Sequence, residues 1–197
     1  MSSKLTQKRT VKTKSAGKTS GGERVRLSEN QRKKNRRLLI LSVAAVIAGL
    51  IMSIGQSLNN EYAAVCAFQE KARTEAAALK TASEELLTSQ NAEAIADSEE
   101  MKSLKDAAER LSDAAGILEL HTAVEEISAT VSLLPEEAKK VGTDLTSEIN
   151  AVSDAAGKAE AALTVANEGA KAFNQKRGKI YNKVMADTMG LPEMETW

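Results

Sequence analysis

The chain has 197 residues, with 27 Lys/Arg, 27 Asp/Glu, one His and one Cys. A single cysteine and a single histidine exclude an internal disulfide framework and a Cys/His metal centre. The formal charge of zero hides two opposite halves: residues 1–37 hold 13 Lys/Arg and two Asp/Glu, whereas residues 38–197 hold 14 and 25.

Residues 1–37 are rich in Ser, Thr, Gly, Lys and Arg, and their sizeable apolar residues are Met1, Leu5, Val11, Val25 and Leu27. Such a segment buries too little apolar surface to offset its ordering entropy, so a disordered basic tail is expected. Arg32, Lys33, Lys34, Arg36 and Arg37 would flank a membrane and attract anionic lipid. A nucleic-acid partner is not expected, because no aromatic side chain is available to stack on bases and no folded motif frames the charges. The tail's composition also resembles a transit peptide, but it lacks an amphipathic apolar face.

From Leu38 to Ile54 the chain carries no charge, and only Ser42, Gly49 and Ser53 interrupt the apolar run. With the uncharged residues that follow, 38–57 is expected to be a transmembrane helix. The Lys/Arg bias places the N-terminus inside and the acidic region outside, periplasmic or extracellular, at the cytoplasmic membrane. The rival reading is a cleaved signal peptide ending near Ser53-Ile54-Gly55; its n-region would be unusually long. Ala45, Gly49 and Ser53 form a small-xxx-small ridge of the kind that lets two membrane helices approach, and equally of the kind common in any membrane helix.

Beyond the membrane, residues 58–190 are Ala-rich, poor in aromatics and free of strand-like alternation, which predicts an all-α domain. A first, loose stripe runs Tyr62, Val65, Ala72, Ala76, Leu79, Leu86. A second runs Met101, Leu104, Ala108, Leu111, Ala115, changes phase near Gly116, and resumes as Ile117, Leu120, Val124, Ile127, Val131, Leu134. The third is an unbroken 4,3 seam: Leu145, Ile149, Val152, Ala156, Ala159, Leu163, Ala166, Ala170, Phe173, Arg177, Ile180, Val184. It predicts one helix of about 60 Å.

Ser98 reads as an N-cap, Pro135 as a helix start, Gly142 as a second start or a kink, and Gly190 as a stop. Three to four long helices in short-looped succession would pack as an antiparallel bundle. Residues 191–197 are left as a C-terminal tail. Ser-Asp-Ala-Ala-Gly occurs at 112–116 and again at 153–157, which in an Ala-rich chain is explained by coincidence.

Asn167 and Asn174 are seven apart, hence on one helix face, and each follows a seam residue. Side-chain amides so placed are expected to bond across to another helix backbone and fix register. Met185, Met189, Met194 and Trp197 are apolar and late in the chain, and are read as a candidate interaction tip; the plainer reading is that they close the bundle's end. His121 lacks a partner for metal or base chemistry, and Cys66 reads as a small buried hydrophobe or the site of an intermolecular disulfide. The adjacent carboxylates at 84/85, 99/100, 125/126 and 136/137 point in different directions on a helix and form no acid/base pair.

The residues Ala166-Asn167, Phe173-Asn174, Asn182, Ala186 and Gly190 resemble the ending of the LemA family. That family typically has a Tyr-Asn, a second Tyr-Asn seven residues on, a Phe-Pro step, an Ala and a Gly-Phe. Pro135 lies near the family's Tyr-Pro, and Tyr62, Val65, Glu70 and Lys71 are similar to its start after the anchor. The resemblance covers about residues 40–80 and 130–197. The family's Arg-Arg-x-Asp-Leu-Ile-Pro-Asn-Leu-Val stretch is missing, Ala166 replaces the first Tyr, Ile180-Tyr181 replaces Phe-Pro, and the long basic tail is atypical.

The resemblance implies a membrane-anchored antiparallel helical bundle with no established enzymatic activity. The expected function is therefore non-catalytic, without cofactor or metal: a scaffold or interaction module at the cell envelope, with lipid and other envelope proteins, or itself, as partners. The alternative is a self-associating coiled-coil spacer. An enzyme is the weakest reading, since no nucleophile–base set is present.

Overall fold

The structure, a computed structural model, describes residues 29–197. The disorder expected of residues 1–28 lies outside the described residues. Among those described, the protein is all-helical with no strand. The helices are α1 (Glu29–Thr88), α2 (Glu99–Asp113), α3 (Ile117–Val131), α4 (Leu134–Val141), α5 (Thr146–Arg177) and α6 (Ile180–Met189), with a 3₁₀ turn at Gln90–Ile95. The chain divides into two compact units at Ala45/Val46, within α1.

In the first unit, residues 29–45 are helical and all exposed. Residues 29–37 belong to the basic segment expected to be disordered, yet they are the first turns of α1. Arg, Lys and Gln are good helix formers, and Glu29 pairs with Lys33 at 2.9 Å, one turn on. The membrane-flank residues Arg32, Lys33, Lys34, Arg36 and Arg37 all lie on this exposed helix. α1 is long and apolar enough to cross a membrane, a property that membrane anchors share with signal sequences.

The second unit begins with the end of the apolar run. Val46 to Ser53 remain exposed, and burial starts at Ile54 and Gly55. From there α1 buries Leu58, Val65, Ala72, Ala76, Leu79, Ser83 and Leu86, a stripe on the 4,3 pattern. The buried Ser83 hydroxyl is satisfied by donating to the Leu79 carbonyl at 2.9 Å.

The expected second long helix is two helices of 15 residues each. Ser98 caps α2, its hydroxyl accepting from the Met101 amide at 3.2 Å. The phase change near Gly116 is the turn that separates α2 from α3, because one straight helix cannot hold both stripes on a single face. Pro135 stands in the first turn of α4. Gly142, with φ 75°, ends α4 rather than starting or kinking a helix; the Thr143 amide reaches back to the Ala138 carbonyl at 3.0 Å in a Schellman closure.

α5 buries the third seam from Ile149 through Phe173, preceded by the buried Leu145. The seam then stops. The extended Lys179 (ψ 138°), just after Gly178, breaks the predicted single helix, and α6 starts anew. Ile180 and Val184, which continue the spacing on paper, are 80% and 66% exposed. Among the described residues the long helices are two, α1 and α5, rather than three to four.

The core has two parts. The larger joins α1 from Ala72 onward to the 3₁₀ turn and to α2, α3, α4 and α5 up to Ala166. The smaller consists of Leu58, Val65, Ala170, Phe173, Ala186 and Leu191, with Ile54, Tyr62, Met185 and Met194 against it. It closes the end of the unit from which the apolar run emerges. Many core positions are Ala, and each buries little apolar area.

Candidate functional site

Chain 191–197 is not a free tail. It lies in extended, irregular form along α5, running back toward the start of that helix, and Asn174 and Asn167 hold it there. Asn174 Nδ2 donates to the Met194 carbonyl at 2.7 Å, and the Met194 amide donates to Asn174 Oδ1 at 2.9 Å. Asn167 treats Trp197 the same way, at 3.3 Å and 3.2 Å. A primary amide presents a donor and an acceptor side by side, so it pairs with both polar groups of one residue as a neighbouring strand would.

The spacing matches. Seven residues of helix advance about 10.5 Å, and three residues of extended chain advance about 10 Å. The two amides were expected to bond another helix backbone; they bond this strap instead. Asn167 is buried and Asn174 half-buried, so both need such partners.

The strap begins at Gly190, whose left-handed conformation (φ 68°) ends α6. The Leu191 amide closes back on the Ala186 carbonyl at 2.9 Å, and both Ala186 and Leu191 are buried. Arg177 Nε donates to the Leu191 carbonyl at 3.0 Å while its guanidinium pairs with Asp187 at 2.6 Å. The single charge interrupting the α5 seam is thus the residue that anchors the strap's first turn. Phe173, 1% exposed, shares the smaller core with Leu191, and its ring centre stands 5.6 Å from that of Tyr62.

The far end of the strap reaches α3. Glu195 Oε2 accepts from the Ile117 amide at 2.8 Å, capping a helix whose N-cap residue, Gly116, has no side chain to offer. A Cβ on Gly116 would fall 2.6 Å from that carboxylate oxygen. The Trp197 indole lies against His121, ring centres 4.3 Å apart, and packs on the larger core. His121 Nδ1 is 3.5 Å from Glu125.

This placement corrects the candidate tip. Met185, Met194 and Trp197 are half-buried and turned into the two cores. Met189, 40% exposed, sets its sulfur close to Gly55, at 3.3 Å from where a Cβ would stand. The four residues therefore form no common exposed surface; Gly190 turns the chain back, and Met194 and Trp197 after it lie against the cores. Asn182 Nδ2 donates to the Lys176 carbonyl at 2.9 Å and closes the α5–α6 corner.

Cys66 is a free, half-buried thiol. Burial pushes the nearby Tyr62 phenol above its ordinary range, and Cys66 adds to the shift. Among the described residues, no group of three or more His, Cys, Asp or Glu side chains converges as a metal site. An open groove of about 650 Å³ lies between α1 and α2, lined among others by Lys80, Glu84, Met101, Lys105, Glu109 and Ser112. Lys80 donates to Ser112 Oγ at 3.1 Å there.

Sequence reasoning singled out Asn167, Asn174, Phe173, Ala186 and Gly190, and these meet at the strap. It missed Glu195, Arg177 as an anchor, and the outer face of α6. Glu195 gave no signal, because its partner Ile117 is 78 positions away. No family model, no curated protein and no solved structure matches this chain.

Proposed function

We propose that this protein is a single-pass, membrane-anchored helical bundle that acts without catalysis, as a scaffold or interaction module at the cell envelope. The observation that carries the reading is the exposure of every residue from Leu38 to Ser53 on a helix whose next turns are buried. An uncovered apolar run of that length calls for a hydrocarbon surround. The basic residues before it and the acidic excess after it favour an N-terminus inside and a bundle outside.

Contacts between α1 and α5 support antiparallel packing. Glu61 pairs with Lys176, Tyr62 meets Phe173, and a Cβ on Gly169 would lie 3.1 Å from the Phe68 ring. One series of numbers rises as the other falls. Burial of the α5 seam inside the chain favours this reading over a self-associating coiled coil, whose seam would await a second copy. The LemA resemblance is consistent with the same architecture, and the two Asn at that family's positions are the ones that hold the strap.

Single cysteines at Ser20 and Ser89, in a Cys66→Ser background, test the topology with an impermeant maleimide on intact cells. Labelling at position 89 alone, on a protein of full-length mass, is expected. Labelling at position 20 alone would place the acidic bundle inside and overturn the reading.

A further inference from the structure

α6 carries an apolar face that none of the other described residues covers. Ile180, Tyr181 and Val184 are 80%, 83% and 66% exposed. At 100° per residue they lie within about 100° of arc, opposite the face that buries Ala186 and half-buries Asn182 and Met185. Exposed Lys179 and Lys183 stand beside them.

The location of α6 says what covers this face. Its inner side packs where the apolar run of α1 ends: Met185 and Met189 set their sulfurs against Gly55, and Ile54 and Leu58 share a cluster with Ala186. One turn further along α1, Leu50, Ile51 and Met52 are exposed apolar residues. Lys176, at the end of α5, reaches Ser57 at 2.9 Å and pairs with Glu61, which sets the corner before α6 at the same level. The exposed faces of α1 and α6 are therefore neighbours within one packed unit.

We propose that α6 is an interfacial helix that lies in the headgroup layer of the same bilayer α1 enters, with Ile180, Tyr181 and Val184 at the acyl boundary and Lys179 and Lys183 against anionic headgroups. A short amphipathic helix with lysines beside its apolar face, held at the edge of a membrane span, matches that environment. Tyrosine suits it because its ring is apolar and its hydroxyl stays wet. The break at Lys179, whose extended backbone ends the run of α5, gains a role: it frees α6 to pack beside Gly55 and Leu58, where the apolar run ends. The proposal rests on the membrane-anchor reading, which supplies the bilayer.

The test uses the full-length chain with Cys66→Ser, in vesicles of phosphatidylcholine containing phosphatidylglycerol. Met52→Cys, Val184→Cys and Lys158→Cys are labelled one at a time with an environment-sensitive fluorophore. Emission is then quenched by lipids carrying a nitroxide near the headgroup. The label at 184 is expected to lose about half its emission, as at the depth of an interfacial helix, the label at 52, within the span, at least as much, and the label at 158 little. Quenching at 52 without quenching at 184 overturns the α6 proposal and leaves the anchor intact. Loss of quenching at both positions overturns the anchor and the proposal together. Ile180→Ser/Val184→Ser, both on an exposed face, serves as a second variant. It should weaken quenching of a label at Tyr181→Cys by several-fold while preserving helicity. If the unsubstituted chain crosslinks to a second copy in the vesicles and this variant does not, the face binds a second copy and the lipid proposal fails.

Discussion

Asn174 grips Met194 by both backbone polar groups, and seven residues earlier Asn167 grips Trp197 in the same way. Each amide acts as one rung of a strand, so an extended heptapeptide is bound to a helix without any sheet. The strap seals the smaller core with Leu191 and Met194 and ends with the indole on His121.

Removing a rung leaves an amide and a carbonyl of the strap without partners, at a cost of about 1–3 kcal/mol where they stay buried. Asn174→Ala is expected to release the strap from Met194 onward. Because Trp197 is the sole tryptophan, its emission should shift to the red. Asn167→Ala should give the same shift with less effect on Leu191. Unchanged emission in the double variant would show that side-chain packing alone holds the strap.

Glu195 stabilises α3 from 78 positions away. Glu195→Ala is expected to cost about 1 kcal/mol, as for loss of other N-caps, and to speed exchange of the Ile117 amide proton. Gly116→Ala should reproduce both effects through a different residue, since its Cβ would displace the carboxylate. Slow exchange at Ile117 in either variant would mean that another acceptor caps the helix.

Phe173 is the largest fully buried side chain. Phe173→Ala should destabilise the folded domain by about 3–5 kcal/mol, read as a lower denaturant midpoint by circular dichroism. Phe173→Leu keeps most of the volume and should retain more than half of that stability. An equal loss in both variants would point to the contact with the Tyr62 ring rather than to volume.

Asp144 accepts from the Thr146 amide at 3.0 Å at the entrance to α5. That bond first, and then the Thr146 hydroxyl, hold its carboxyl below the ordinary carboxylate range. A lowered folded-state value means the stabilisation is fully present above about pH 4, the unfolded value. It is lost as the pH falls through the lowered one. Asp144→Asn should remove this acid dependence, and a carboxyl ¹³C titration of Asp144 with an ordinary midpoint would refute it.

Most of the helical core was legible because burial on a helix has a period. The seam from Leu145 to Phe173 and both halves of the second stripe are buried, apart from the exposed Ala115. The end of the α5 seam was not legible. Ile180 and Val184 keep the spacing, and Gly178 is helical in φ and ψ (−66°, −12°), so neither pattern nor glycine marks the break. The change lies in the extended backbone of Lys179, where α6 leaves α5 to pack on Gly55 and Leu58.

The amino-acid order alone determined what is local: an all-helical chain, an apolar run next to a basic block, the caps at Ser98 and Gly190, and the phase change at Gly116. Each depends on residues within a few turns of one another. The tertiary structure decided what depends on distant partners. It brought residues 191–197 onto Asn167 and Asn174, gave Gly116 a cap from Glu195, and turned Met194 and Trp197 inward. It also left Ile180, Tyr181 and Val184 outside. A helical period says which side chains share a face, but only packing says whether that face meets another part of the same chain.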